Sequence, residues 1–246
     1  MKKLIFILLC FSLLTFGSSA RIIEVAPAGA WGSIGISGGG GAVAAGGGPE
    51  FVVAGVNSND EEAATTINLA LGTDANRYIL VGSVNEPGVS ITDVTFGGVS
   101  ITGASLFSID IDTRAQCNGY GGTVAGSGTA DVVVTFSAAT GHATVVAGYS
   151  GVSSDGTPAT ATGNSTAPSV SVSNSDTDEL IVDVACQEQS ASLTVDGSQT
   201  QRGQTSDATW SLVVGVSEEV GSASPVSMDW TGADERWGIG ALALEP

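Results

Sequence analysis

Thr92-Asp93-Val94-Thr95-Phe96-Gly97-Gly98-Val99-Ser100-Ile101-Thr102 reads as two short strands around a two-residue turn. Adjacent glycines accept the positive φ angles of the tight turns whose twist matches that of paired strands, so this stretch predicts a β-hairpin. The same punctuation recurs outward in both directions. Apolar and β-branched runs of about five to nine residues alternate with clusters of Gly, Asn, Asp, Ser and Pro, as strands do. The runs are 65–71, 77–84, 90–96, 105–111, 131–137, 143–150, 169–173, 179–186, 209–217, 226–230 and 236–244. In Asp131–Phe136 the alternation gathers Val132, Val134 and Phe136 on one face. In Thr209–Ser217 it gathers Trp210, Leu212, Val214 and Val216, so both read as inner faces. The last run carries Trp237, Ile239, Ala241 and Ala243 on one side and Leu242 and Leu244 on the other, which predicts a central strand covered on both faces. Helical periodicity is nearly absent. A parallel sheet would need helical crossovers, so the expected fold is all-β, a two-sheet antiparallel β-sandwich.

The first 20 of the 246 residues have the pattern of an export signal. Lys2 and Lys3 form a basic start, Leu4 to Phe16 an apolar stretch, and Ser18-Ser19-Ala20 a small-residue cleavage site. The apolar stretch is shorter than the roughly 20 residues a spanning helix needs, so no membrane insertion is expected after cleavage. Cys10 lies within it behind Leu9, where a lipid anchor would require a small residue. Residues 21–48 hold the short strand-like piece Ile22 to Val25 and two glycine runs, Gly38 to Gly41 and Gly46 to Gly48, a composition expected to form a flexible segment. The sandwich domain is expected over residues 49–246.

Cleavage would remove both lysines and leave Arg21, Arg77, Arg114, Arg202 and Arg236 against 25 acidic residues, a formal charge of −20. Such a surface repels phosphate backbones and anionic headgroups, which argues against nucleic acid as a partner. It favours solubility and attraction of cations.

Beyond the signal the only cysteines are Cys117 and Cys186. An exported chain with an even pair permits one disulfide, and Cys186 shares the inward register of Leu180, Val182 and Val184; two separate buried thiols remain the alternative. His142 is the only histidine, so any Ser-His-Asp triad or His-ligated zinc would have to use it. No G-x-S-x-G elbow accompanies it, and the reading is a solvent-facing residue at a strand start.

Acidic residues offer the remaining chemistry. Asp110 and Asp112 stand at i and i+2, so on a regular strand both would project from one face and repel unless a cation or water intervened. Asp176 and Asp178 would do the same if extended. Asp60 and Glu61 in Asn57-Ser58-Asn59-Asp60-Glu61-Glu62 make a second oxygen-rich group, although turns favour such residues on backbone grounds alone. Calcium is the cofactor these clusters would suit, at Asp110, Asp112, Asp60 or Glu61, and no other cofactor is expected. Trp31, Tyr120 and Trp230 are candidate stacking faces for sugars, with Trp210 and Trp237 assigned to the core.

The segments Thr95-Phe96-Gly97-Gly98-Val99 and Gly148-Tyr149-Ser150-Gly151-Val152, with VVVTFS (132–137), ELIVDV (179–184), GSQTQR (197–202) and the closing WGIGALALEP, carry a resemblance in that order over residues 65–246. The chain resembles the jelly-roll-type β-sandwich modules of bacterial secreted and cell-surface proteins. It departs from them in having one module rather than an array, and in AQCNGYGG (115–122), where a more apolar strand is expected. The resemblance implies a jelly-roll-like sandwich and says little of function. With no nucleophile–base pair or cofactor loop, the expectation is an exported, non-enzymatic binding or structural module of the cell surface or extracellular space. Its partners would be extracellular polysaccharide or other copies of itself. Two alternatives stand beside it. One is a filament or surface-layer subunit joined by addition of the strand Ile22 to Val25 to a neighbour's sheet edge. The other is a carboxylate-based carbohydrate-active hydrolase, which would need two acids facing each other across a cleft.

Overall fold

The structure, a computed structural model, describes residues 36–37 and 48–246 apart from 174, 175, 190 and 224, without the side chains of 36, 37 and 60. The expected export signal, Ile22 to Val25 and Trp31 therefore lie outside the described residues. Within them there are strands and no helix. In chain order they are β1 (Ile36–Ser37), β2 (Glu50–Ala70), β3 (Arg77–Asn85), β4 (Ile91–Phe96), β5 (Val99–Ser100), β6 (Thr102–Asp110), β7 (Gln116–Val124) and β8 (Thr129–Ser150). There follow β9 (Ser154–Asp155), β10 (Ala159–Ser165), β11 (Ser169–Val172), β12 (Leu180–Glu188), β13 (Thr194–Val195), β14 (Thr200–Asp207), β15 (Leu212–Val220), β16 (Val226–Thr231) and β17 (Glu235–Glu245).

All pairings are antiparallel, and the molecule is a β-sandwich. One sheet has the order β1-β2-β8-β3-β7-β6, and the facing sheet has the order β10-β17-β12-β15-β14. Between them Leu80, Val84, Val145 and Tyr149 meet Val182, Val184, Val214, Val216, Leu242 and Leu244 in one buried cluster. Burying each such aliphatic side chain contributes about 1.5–3 kcal/mol. The final strand is central as expected, between β10 and β12, with Trp237 and Ile239 on one face and Leu242 and Leu244 on the other. The Gly97-Gly98 hairpin is also present. Both glycines have positive φ, at 59° and 80°, and Phe96 pairs with Val99.

Each outer face of the sandwich carries a further layer that the alternation did not announce. The long β2/β8 ladder folds back on itself where its register slips, between Asn59 and Ala64, with Glu61 at φ 55°. Residues Phe51–Asn59 pair with His142–Tyr149, while Ala64–Ala70 pair with Thr129–Thr135. The second half turns over the first, so that Asn57 Nδ2 donates to the Thr66 carbonyl at 3.3 Å. Ile67, Leu69, Val132, Val134 and Phe136, joined by Val94 and Phe96 of β4, cover Ile79, Val81 and Val146 in a second core. The face of Asp131–Phe136 is thus an inner face, but of the folded-over layer. On the opposite side a small sheet, β11-β16-β13, lays Val170, Val172, Val226, Met228 and Trp230 over Ile181, Val213 and Ile239.

This outer layer buries a polar group. Asp183 is wholly buried on the face of β12 that β16 covers, and three donors reach it: the Ser217 amide at 2.9 Å, Ser217 Oγ at 2.7 Å and Trp230 Nε1 at 2.6 Å. Gln199 Nε2 donates to Ser217 Oγ at 2.7 Å, and Gln199 Oε1 accepts the Asp229 amide at 2.6 Å. Burial pushes the Asp183 carboxyl up to about 6 despite the three donors.

Cys117 on β7 and Cys186 on β12 form a disulfide that ties the two main sheets together through the first core. The β7 stretch Gln116-Cys117-Asn118-Gly119-Tyr120-Gly121-Gly122, too poor in apolar side chains to be read as a strand, is a fully paired one between β3 and β6. Ile36 and Ser37 pair with Ala54 and Val53 at the outer edge of β2.

Candidate functional site

Antiparallel strands bring their connections together at the ends of a sandwich, and one end holds a groove of about 720 Å³. That volume lies within the range of small-molecule sites. Its walls come from five places far apart in the chain. Glu86 and Pro87 follow β3, Thr113 and Arg114 link β6 to β7, Glu188 and Gln189 end β12, the turn Thr209–Leu212 links β14 to β15, and Glu235 opens β17.

The turn is built to present Trp210. Asp207, buried at the end of β14, accepts the Thr209 amide at 2.8 Å and the Trp210 amide at 3.2 Å on Oδ1, the pattern by which Asp replaces a backbone turn acceptor. Ser211 then takes φ 54°, and its carbonyl accepts the Gln189 amide at 2.6 Å. The indole lies against the backbone of β8 at Gly141, where a Cβ would stand only 2.1 Å from its Cδ1 and Nε1. Any side chain there would push the ring away. Trp210 remains 40% exposed and lines the groove. Strand alternation had assigned Trp210 to the core. The structure corrects this, because the Asp207 turn breaks the strand before Trp210 and β15 starts only at Leu212.

Carboxylates line the same groove. Gln187 is buried and holds the connection before β17, donating from Nε2 to the Ala233 carbonyl at 2.7 Å and accepting the Ala233 amide on Oε1 at 3.1 Å. Glu235 Oε1 in turn accepts Gln189 Nε2 at 3.2 Å. The Glu188 carboxyl is held above its ordinary range, first by burial and then by the charge of Asp112, with Arg236 and Arg114 opposing. Its Oε1 is buried without a hydrogen-bond partner among the described residues. Arg236 is engaged by Asp112 at 2.5 Å, and among the described residues Arg114 is the cation lining the groove.

The residues singled out from sequence are placed elsewhere. Asp110 ends β6 and accepts Gln116 Nε2 at 2.7 Å, whereas Asp112 lies past the strand end and turns to Arg236, so the two do not share one strand face. Glu61 sits at the fold of β2, at the other side of the sheet from β6, and Asp60 has no described side chain. Among the described residues no three His, Cys, Asp or Glu converge as a metal site would require. Asp176 and Asp178 lie in the connection before β12 rather than on a strand, and the Asp176 amide donates to Glu179 Oε2 at 2.8 Å.

His142 is a correction. It is wholly buried, its ring 4.7 Å from that of Phe136 and its Nδ1 3.2 Å from the Thr140 carbonyl, because the folded-over layer covers the face on which it stands. Trp230 is buried as the donor to Asp183, and Tyr120 belongs to the second core. Neither offers a free stacking face. A second groove, beside β6, has Asp155 as its only charged group among the described residues, and Tyr78 Oη donates to that carboxylate at 2.6 Å.

Compared with family models, with curated proteins and with solved structures, the chain matches none.

Proposed function

We propose that this chain is an exported, non-enzymatic β-sandwich module that binds extracellular polysaccharide in the groove beneath Trp210. One observation carries the reading: a tryptophan, 40% exposed, whose indole is held against the Gly141 backbone in a groove walled by mostly polar residues from five separate segments. Aromatic rings suit the apolar faces of sugars, and the surrounding carboxylates, amide and guanidinium suit their hydroxyls. The export pattern of residues 1–20 and the likeness to secreted sandwich modules support an extracellular or cell-surface place of action. Affinity electrophoresis of residues 21–246 through gels containing neutral, acidic and amino polysaccharides tests the proposal. Retardation by at least one polymer, lost in Trp210→Ala while thermal unfolding is unchanged, is the expected result; mobility equal to that in plain gel throughout would defeat it.

A carboxylate-based hydrolase is the second reading, favoured by the raised Glu188 carboxyl in a groove that Glu86 and Glu235 also line. General-acid catalysis in glycosidases uses a carboxyl of that kind. Release of reducing ends from a retained polymer, abolished in Glu188→Gln, would replace the binding module by an enzyme.

A further inference from the structure

Among the described residues three carboxylates, those of Glu86, Glu188 and Glu235, line the groove against one guanidinium, that of Arg114, and the nearby Arg236 pairs with Asp112. Glu188, partly buried, lines the groove at the end of β12. A carboxylate in a groove wall is met best by a ligand that supplies a charged N–H. An ammonium offers three donors together with a positive charge; an N-acetyl group offers one donor and none. Beside it, the part-exposed Trp210 has an indole whose quadrupole attracts cations and whose ring suits a sugar's apolar face. The field of the whole chain acts in the same direction, since residues 21–246 carry a formal −20 that draws cationic polymers inward and turns away uronic, sulfated or phosphorylated ones.

We infer that the ligand of this groove is a cationic amino-sugar polymer whose free amine meets Glu188 while its ring stacks on Trp210. The inference rests on the polysaccharide reading above and narrows it to one chemical class. Glu188 is thereby a specificity-determining residue, discriminating a free amine from an acetylated or absent one. Glu86 and Glu235 extend the negative wall along the groove.

Calorimetric titration of residues 21–246 with glucosamine, N-acetylglucosamine and glucose pentasaccharides of equal linkage, each at low and high salt, tests it. The free-amine oligomer is expected to bind at least about tenfold more tightly than the other two, the scale of one ammonium–aromatic or charged hydrogen-bond contact, and to weaken with salt. Glu188→Gln is expected to remove most of that preference without changing thermal unfolding, and Trp210→Ala to weaken all binding. Equal or tighter binding of the acetylated or neutral oligomer would overturn the amine assignment and leave the polysaccharide reading standing. Binding of the free-amine oligomer undiminished in both variants would reveal diffuse attraction to an acidic surface and overturn it too. Competition by an oligolysine of equal charge, as effective as the amino sugar, would show a general cation site. No binding of any oligomer, with no retardation by any polymer, would remove both readings.

Discussion

Asp183 shows how a single residue can set the cost of a layer. Its neighbours on β12 point apolar side chains into two cores, yet it places a carboxylate under β16 and satisfies it with Ser217 and Trp230. Because its folded value of about 6 stands above the ordinary 3.8, folding takes up a proton between those values. The stabilisation from this group is therefore complete below about pH 4 and is lost as pH rises through 6, by up to about 3 kcal/mol at roughly 1.4 kcal/mol per unit. Glu218, also raised by burial although Arg202 opposes it, adds a change of the same sign. Asp183→Asn cannot titrate, and its amide nitrogen cannot accept from Trp230. Urea denaturation between pH 4.5 and 7.5 is expected to give a flatter stability profile in the variant, with lower stability than the parent at pH 4.5. Parallel profiles for the two proteins would refute the assignment. Nothing in the alternation of ELIVDV announced this, since a polar residue between apolar ones reads as solvent-facing until a further layer covers it.

Elements were legible in proportion to their apolar alternation. β3, β12, β15 and β17 stand close to where their Val, Leu and Ile runs predict them, and the Gly97-Gly98 hairpin forms from its turn residues alone. β10, with alternating half-exposed positions in Ala159–Ser165, and β14, with its polar Thr200–Asp207, were not read because edge strands bury little. β7 was missed for the opposite reason. It is central, but the bodies packing against it are large: the Phe107 ring leaves no room for a Cβ at Gly119, nor the Tyr78 hydroxyl at Gly121. At this scale the Cys117–Cys186 bond joins the two main sheets, closing a loop of 69 residues. By the chain-entropy estimate such a loop is worth about 4 kcal/mol. Mass spectrometry without reductant is expected to find both thiols absent, and the Cys117→Ala/Cys186→Ala protein to melt well below the parent. Two alkylatable thiols in the unreduced, unfolded protein would contradict the bridge.

Across the whole molecule, the layering decides which surface is left for a ligand. Covering layers on both outer faces bury His142 and Trp230, two residues that sequence reading had offered to solvent, and leave the ends of the sandwich as its sculpted surfaces. The fold-back of β2 and β8 depends on register slips near residue 61 that no hydrophobic period reports. For that reason the groove was not legible either, since its five segments converge only once the sandwich is closed. The one local signal available was Asp207 standing two and three residues before Thr209 and Trp210, the spacing of a side-chain-capped turn. The central claim is that Trp210 is the ligand's platform, and the indole N–H resonances of the protein test it most directly. During titration with the polysaccharide fragment that is retained, the Trp210 signal is expected to shift progressively and saturate. Those of Trp230 and Trp237, 1% and 7% exposed, should hold their positions. A Trp210 signal that stays fixed while the polymer binds would contradict the account.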